Sequence, residues 1–155
     1  MAQATGSLVG NELGAGRPED AAAVMARSTR ASLLFTGPMM LLFLFAPGPL
    51  ASILTEDPLV HAETVVYLRI LAWSQLALAL QGIWDVSLSS AGHTLPVFWS
   101  TTFWNLSRVP LCWWLAIDLG YGLPGVWWAV NLSTYGKALT SGWVVHRGRW
   151  KHARV

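Results

Sequence analysis

The sequence predicts an all-α fold, a polytopic bundle of transmembrane helices, and three observations lead to that prediction. First, 54% of the 155 residues are hydrophobic and only 12% are charged, unlike an ordinary soluble domain. Second, the apolar residues gather into four runs, each long enough at about 1.5 Å per residue to cross a hydrocarbon core of about 30 Å. Third, the basic residues that flank these runs fall on one side of the bilayer when the runs are threaded through it.

The four predicted spans cover residues 31–54, 65–90, 95–117 and 125–145. Stretches within them, such as 39–45 and 76–80, are apolar all round rather than along one stripe, which is typical of helices surrounded by lipid or protein. A mean hydropathy of +0.44 agrees with this pattern. A soluble protein with buried helices is therefore the poorer interpretation.

Charges in the connecting segments predict the orientation. The connectors 55–64 and 118–124 carry acidic residues and no Lys or Arg, so both are predicted to face outward. Lys and Arg near the ends of spans resist translocation. Both termini of this multi-pass membrane protein are therefore predicted to be cytoplasmic, with 146–155 as a basic tail. The flanking basic residues are Arg17, Arg27 and Arg30 before the first span and Arg147, Arg149, Lys151 and Arg154 after the last.

The first 30 residues are predicted to hold the end of one helix and the start of another. Residues 1–14 place Gly6, Gly10 and Gly14 at four-residue intervals, a spacing that lets two helices approach closely. This segment is too short to span a bilayer, so we expect the end of a truncated transmembrane helix. Residues 15–30 form a cytoplasmic loop and a short helix, since Gly16 suits a left-handed turn and Pro18 a first helical position. That helix should continue into the first span.

Prolines, glycines and tryptophans mark details of the four helices in 31–145. Pro38 predicts a kink in the first span, which is either a hinge or a static bend. The glycines in 120–125 predict a tight turn, and their match to a dinucleotide fingerprint lacks the preceding strand that the fingerprint requires. Tryptophans favour the membrane interface. Trp113, Trp114, Trp127 and Trp128 are predicted at the outer interface, and Trp143 and Trp150 at the inner one.

Four charged residues, Arg69, Asp85, Arg108 and Lys137, lie within the predicted spans. A charge in mid-bilayer costs at least about 2.5 kcal/mol, so these side chains should face protein or water. From the rise per residue, Asp85 lies about 8 Å and Lys137 about 12 Å from the inner boundary, whereas Arg108 lies about 20 Å from it. We therefore expect Lys137, or alternatively Arg108, to neutralise Asp85, and Arg69 to reach the outer headgroups.

Asp85 is the candidate ion-coupling residue, with Lys137 and Arg108 as its charge partners. A membrane carboxylate can bind and release a proton or hold a cation; the alternative is an ion pair that only joins helices. Further polar and aromatic residues within the spans imply a bundle interior and are candidates for lining a cavity. They are Gln75, Gln81, Trp84, Trp104, Asn105, Asn131 and Tyr135.

No sequence pattern indicates an enzyme, a cofactor, a metal site or a nucleic-acid partner. No nucleophile with a base and no phosphate loop is found, and His61 and His93 stand alone without metal-ligand spacing. Cys112 is the single cysteine and lies in an apolar run, as a packing residue does. The basic residues flank membrane spans, where they meet anionic lipid headgroups rather than nucleic acid.

The string V-G-N-E-L-G-A-G-R-P-E-D-A at 9–21 resembles the cytoplasmic loop motif of the multidrug and toxic compound extrusion (MATE) family. The motif residues are Gly10, Gly14, Gly16 and Pro18. Two further stretches agree with that family in order and spacing. They are Y-L-R-I at 67–70, which opens a helix, and A-G-H-T-L-P at 91–96, where the family commonly has a Gly-Asp-Thr type of loop.

The resemblance implies a fold and a function. MATE proteins have twelve spans in two lobes, and this chain looks like the C-terminal part of the second lobe, with spans nine to twelve. They exchange Na⁺ or H⁺ for small cationic, amphipathic compounds by alternating access between the lobes. The N-terminal lobe would be the partner of this chain, which would be inactive without it. Asp85 falls in the equivalent of span ten, roughly two turns nearer the cytoplasm than the family's acidic residue.

Two alternatives remain open from the sequence. One is a related lipid-linked oligosaccharide flippase, which would need several cationic residues to hold a pyrophosphate, with Arg108 and Lys137 as the candidates. The other is a small membrane scaffold whose glycine-spaced opening helix pairs with a partner.

Overall fold

The computed structural model describes residues 1–152, and in that range it contains six α-helices and no strand, which confirms the predicted all-α fold. Arg154 of the predicted basic tail lies outside the described residues. The helices are α1 (Ala2–Gly14), α2 (Pro18–Phe45), α3 (Pro47–Leu54), α4 (Pro58–Ser90), α5 (Thr94–Trp113) and α6 (Gly122–His146). A π-helical turn, Trp114–Asp118, follows α5, and a 3-10 turn, Arg149–His152, follows α6.

Helix α1 ends in a glycine cap that explains the loop motif. Gly16 has φ +72°, a left-handed conformation that favours glycine. The N–H of Arg17 donates to the carbonyl of Glu12 and the N–H of Gly16 to that of Leu13, both at 2.9 Å, which is the Schellman pattern. The Arg17 guanidinium also pairs with the Glu12 carboxylate at 2.9 Å. Pro18 then opens α2, as predicted.

Helix α2 is continuous from Pro18 to Phe45, which confirms that the short helix runs into the first predicted span. The helix also continues through Pro38. The predicted span 31–54 is divided between two helices, because the chain breaks at Ala46 (φ −127°, ψ 42°) and α3 starts at Pro47. The ring of a proline disfavours the α conformation in the residue before it, and Ala46, before Pro47, has left that conformation.

Helix α4 begins earlier than the sequence indicated. The Asp57 carboxylate caps it by accepting from the N–H groups of Leu59 at 2.8 Å and Val60 at 3.5 Å. The predicted outer connector 55–64 therefore shortens to 55–57, and Glu63 lies on α4 rather than in a loop. Hydropathy alone did not predict this start, because the first turns of α4 are polar enough to resemble a loop.

The connection between α5 and α6 is the predicted tight turn. Gly120 and Gly122 have φ values of +71° and +59°. The helical path continues through Pro110 and ends in the π-helical turn, where the N–H of Leu119 donates to the carbonyl of Trp114 at 3.0 Å. Gly125, in the first turn of α6, comes so close to this turn that a Cβ atom there would lie 2.8 Å from the carbonyl group of Leu115.

Within the described residues, α2 and α4 are long and apolar enough to cross a membrane, judged by length and composition alone. Helices α5 and α6 have 20 and 25 residues, which is also long enough to span. The apolar segment of α2 has no buried residue, so side chains such as Leu34, Phe35 and Phe45 are exposed on the surface of the bundle. These features fit a membrane protein, and four spans remain a prediction.

The loop between α1 and α2 and the C-terminal turn Arg149–His152 lie at the same end of the bundle. A core cluster there joins α1, α2, α4 and the turn after α6, and its largest member is Trp150, only 1% exposed. The prediction of Trp150 as an interface residue was therefore wrong, since its indole is buried and donates to the carbonyl of Val145 at 3.1 Å. The other buried cluster members are Val9, Ala21, Met25, Ile83, Leu88 and Ala91.

The glycine spacing in α1 lets it approach α4 closely, as predicted, at two of the three glycines. A Cβ atom on Gly6 would lie 2.4 Å from Cγ1 of Val86 and 2.7 Å from Oγ of Ser90. One on Gly10 would lie 3.6 Å from the Ser90 carbonyl oxygen, an ordinary contact. Gly14 has open space around it, so its predicted role in close packing is not seen.

We expect Gly6→Ala to loosen α1 from α4, because the new methyl group overlaps the β-branched side chain of Val86. Overpacking of this kind costs about 1–3 kcal/mol. Amide hydrogen exchange in residues 2–14 should accelerate in Gly6→Ala and not in the matched variant Gly14→Ala, whose methyl group meets open space. Equal exchange in both variants would show that the close approach at Gly6 does not hold α1 in place.

Candidate functional site

Helix α6 carries most of the buried polar side chains of the bundle and lies between α4 and α5. Its glycines and small residues let both neighbours approach, and its polar groups project into the two seams. A buried polar group needs a hydrogen-bond partner, so the contacts of these side chains define the interior of the site. The buried polar residues of α6 are Asn131, Ser133, Thr134, Lys137 and Ser141.

Asp85 is the acidic side chain of the seam between α4 and α6. Its Oδ1 atom accepts from the hydroxyl of Ser141 at 2.5 Å, and its Oδ2 atom accepts from the amide of Gln81 at 3.0 Å. Gln81 lies one turn before Asp85 on the same helix, whereas Ser141 belongs to α6 and is 3% exposed. Both donors are neutral, and together they orient the carboxylate and join the two helices.

The predicted ion pair between Asp85 and Lys137 was wrong. In the described part of the chain, the ion pairs within 4.0 Å are those of Arg17 with Glu12 and Asp20. The ammonium of Lys137 instead donates to the Asn105 side-chain oxygen on α5 at 2.5 Å. Arg108, the alternative partner, donates from Nε to Ser133 Oγ at 3.0 Å.

Depth explains the error. Helix α4 ends at Ser90 and α6 ends at His146, so Asp85 and Ser141 each lie five residues from the C-terminal end of their helix (90 − 85 and 146 − 141). At 1.5 Å per residue that is about 8 Å for both, whereas Lys137 lies one turn deeper. The sequence analysis chose Lys137 as the partner of Asp85 because of its opposite charge. In the structure the partner on α6 is Ser141, which lies at the same depth as Asp85. The same count could have singled out Ser141, which the sequence analysis missed.

The seam between α4 and α6 has two further polar contacts toward its outer half. The Asn131 amide, 1% exposed, donates to the carbonyl of Ile70 at 2.5 Å. The Tyr135 hydroxyl donates to the carbonyl of Trp73. Both side chains were predicted to line a cavity, and the structure shows them joining α6 to the backbone of α4.

The seam between α5 and α6 is closed by a second set of side chains. The hydroxyls of Ser100 and Thr140 are 2.6 Å apart, and Trp104 packs its ring against Gly136. The Ser100 contact was not predicted, because neither hydroxyl stands out in the sequence from others in the spans. Trp104 Nε1 is buried and has no hydrogen-bond partner among the described residues.

The cavity candidates therefore divide between the two seams. Trp104 and Tyr135 line an open apolar groove of about 300 Å³ between α5 and α6, and Asn131 lines a smaller cavity of about 110 Å³ beside Tyr67. Trp84 packs near Gly142, whose Cβ atom would lie 2.8 Å from its ring. Gln75 is half-buried on α4 and has no side-chain hydrogen bond in the described part of the chain.

Arg69 and the tryptophans predicted for the outer interface lie near the end of the bundle that the sequence predicts to face outward. Arg69 is exposed, in keeping with a side chain that reaches the headgroups. Trp113, Trp114 and Trp128 are exposed as expected for interface residues. Trp127 is instead half-buried against the Tyr67 ring, at 5.4 Å between centroids in an edge-to-face arrangement.

Comparison with known proteins adds to this geometry. The MatE family model matches residues 1–114, about three quarters of the chain. The chain belongs to the MatE family. This match confirms the family that the loop motif indicated, and it contains α1 to α5, with Asp85, Asn105 and Arg108. The segment that carries Lys137 and Ser141 lies beyond the matched residues.

The chain is also similar to a protein described as "Probable multidrug resistance protein NorM" of Thermotoga maritima. The two are 29% identical over 123 residues, which cover 78% of this chain and 26% of that protein. The chain thus spans about a quarter of the length of this MatE relative.

Proposed function

We propose that this chain forms part of a MATE-type multidrug efflux antiporter, which exports small cationic, amphipathic compounds in exchange for Na⁺ or H⁺. The printed description of the Thermotoga maritima relative, a probable multidrug resistance protein, supports this function. The antiporter would lie in the bacterial plasma membrane with the basic C-terminal tail in the cytoplasm, where Arg147 and Arg149 resist translocation.

The observation that carries the proposal is the environment of Asp85. Its carboxylate lies between two helices, and its hydrogen-bond partners are the neutral groups of Gln81 and Ser141. A carboxylate held by neutral donors can take up a proton or a monovalent cation without first breaking an ion pair. Acidic side chains within membrane helices commonly mark proton and ion pathways.

Binding at Asp85 would act on the seam between α4 and α6. A proton on Oδ1 would replace the acceptor that the Ser141 hydroxyl uses, and a cation would draw the carboxylate oxygens toward itself. Either event changes the relative energy of two arrangements of the helices, because it binds one arrangement better than the other. Ion occupancy would thereby bias the bundle between its inward-open and outward-open states.

Transport would need more polypeptide than this chain supplies. Alternating access requires two lobes or bundles that move against each other about a central site. We place the chain at the C-terminal part of the second lobe, with α2 and α3 together as span nine and α4, α5 and α6 as spans ten to twelve. The N-terminal lobe would then be its partner, and the chain alone would not transport.

We expect Asp85→Asn to abolish ion-coupled drug efflux when this segment is part of a two-lobe transporter. The amide keeps the size of the side chain and can still accept from Ser141, but it can neither bind a proton in the working pH range nor neutralise a cation. Efflux of a cationic dye from cells should fall to the level seen in cells that lack the transporter. Its dependence on Na⁺ or on pH should disappear with it.

Two matched variants control this experiment. Glu63→Gln removes an exposed carboxylate from the same helix and should leave efflux unchanged. Lys137→Met removes the buried ammonium group of α6 and tests whether the function of Asp85 depends on the positive charge of Lys137. Unchanged transport in Asp85→Asn would leave Asp85 as a structural contact and refute the proposed coupling.

A further inference from the structure

A basic cavity lies at the end of the bundle that the sequence predicts to be cytoplasmic. It has a volume of about 150 Å³ and lies between the start of α5 and the end of α6. His93 and Pro96 line it from α5, and Arg147 and Arg149 line it from the turn that follows α6. Both arginines are exposed, so their guanidinium groups remain available to a ligand. Guanidinium groups favour phosphate because their planar donors match its oxygens.

Trp143 connects this cavity to the apolar groove between α5 and α6. It lines both, and the Arg147 guanidinium stacks on its ring at 3.6 Å from the centroid. The groove continues along α6 through Leu139 and Gly136 to Leu132, positions spaced three and four residues apart and therefore on one helix face. From Arg147 to Leu132 the stripe is about 22 Å long, at 1.5 Å per residue.

The chemistry of the two parts matches one kind of molecule. A cationic pocket at the membrane boundary is followed by a groove whose lining is almost entirely apolar and whose rim residue Leu139 is 74% exposed. We infer that this surface binds an anionic phospholipid, with the headgroup phosphate between Arg147 and Arg149 and one acyl chain in the groove toward Leu132. The inference does not depend on transport, since it concerns the groove between α5 and α6 and not Asp85.

A neighbouring cavity bears on the charge of the site. Arg147 and Arg149 also line a more open space of about 590 Å³, to which Glu19 of α2 contributes its side chain. The headgroup must therefore lie on the α5 side of the arginines, beside His93, where no acidic residue lines the cavity in the described part of the chain. Attraction to the anionic headgroup and burial of the acyl chain then act on the same lipid.

The test measures lipid retained by the purified full chain. Detergent micelles containing equal amounts of dioleoylphosphatidylglycerol and dioleoylphosphatidylcholine share the acyl chains and differ in headgroup charge. Native mass spectrometry should show preferential retention of the phosphatidylglycerol. In Arg147→Gln with Arg149→Gln, its retention should fall about 30-fold, from about 1 kcal/mol per arginine and about 1.4 kcal/mol per tenfold change.

Matched variants separate a site from a general effect of charge or hydrophobicity. Arg27→Gln with Arg30→Gln removes the same charge from α2 and should leave retention unchanged. Leu139→Gln should weaken retention, whereas Leu34→Gln, at an equally exposed position on α2, should not. Arg147→Lys with Arg149→Lys should keep most of the binding, which separates loss of the charge from loss of folding.

Three results would overturn the inference. They are equal retention of the two lipids by the unaltered chain, equal loss in the α2 and α6 arginine variants, and displacement of the lipid by inorganic phosphate. Displacement by inorganic phosphate would show that the arginines bind an anion without any contribution from an acyl chain in the groove.

Discussion

Replacing Gly125 with alanine is expected to open the outer connection between α5 and α6. A Cβ atom at this position would lie 2.8 Å from the carbonyl carbon and oxygen of Leu115 and 2.9 Å from the amide nitrogen of Ala116. All three are backbone atoms of the π-helical turn, so no side-chain rotation can relieve the overlap. The turn or the first turn of α6 must move, at a cost of about 2–3 kcal/mol.

Cys112 offers a direct measurement of that opening. It is the single cysteine of the chain, it is half-buried, and its Sγ atom lies 4.0 Å from the carbonyl oxygen of Val126, next to Gly125. A maleimide should therefore modify Cys112 faster in Gly125→Ala. A cost of about 2 kcal/mol corresponds to about a 30-fold rise in the open population, and the labelling rate in detergent should rise by a similar factor.

Gly82→Ala is the matched control for this experiment. Gly82 lies within α4, and a methyl group there meets nothing within 4 Å. Alanine is favoured over glycine in a helix interior by about 0.5–1 kcal/mol, so the control should be neutral or slightly more stable. A Cys112 labelling rate in Gly125→Ala no higher than in Gly82→Ala would contradict the proposed close approach.

The second large effect is expected at Gly136, in the centre of the seam between α5 and α6. A Cβ atom there would lie 2.4 Å from two atoms of the Trp104 ring. The ring is rigid, so Gly136→Ala should force the two helices apart and cost about 2–3 kcal/mol. The fraction of the protein that stays folded and helical after heating in detergent should fall accordingly.

A double-mutant cycle tests the cause of this destabilisation. Trp104→Leu alone removes a large side chain from the seam and should destabilise the bundle. In Gly136→Ala with Trp104→Leu the new methyl group meets no ring, so the combined cost should be smaller than the sum of the two single costs by about 1–2 kcal/mol. Strict additivity would mean that the overlap with Trp104 is not what makes Gly136→Ala unfavourable.

These two glycine contacts also bear on the proposed coupling. Gly136 is adjacent to Lys137, and α6 carries Ser141 one turn further along, against Asp85. The helices α5 and α6 pack closely only where a glycine leaves room for the neighbouring helix. Because packed interfaces do not deform continuously, the closed seam has one well-defined arrangement. In the proposed mechanism, this arrangement is one of the two states between which ion binding at Asp85 would select.

Much of the architecture follows from local sequence. The apolar runs predicted the helices, and the glycines and Pro18 predicted the loop between α1 and α2, because helix formation and glycine caps depend on neighbouring residues. The loop motif identified the family. The sequence failed at Asp57, where a single cap decides a boundary that an average over an apolar run cannot resolve.

The partners of the membrane charges were decided by the tertiary structure alone. From the sequence, Asp85 and Lys137 looked like an ion pair because opposite charges attract and their depths differ by only about one turn. In the bundle, α6 directs Ser141 toward Asp85 and Lys137 toward Asn105, and Trp104 fits only because Gly136 has no side chain. Residue type fixes which contacts are favourable, whereas the rotation and offset of each helix fix which residues meet, and these arise from all the packed side chains together.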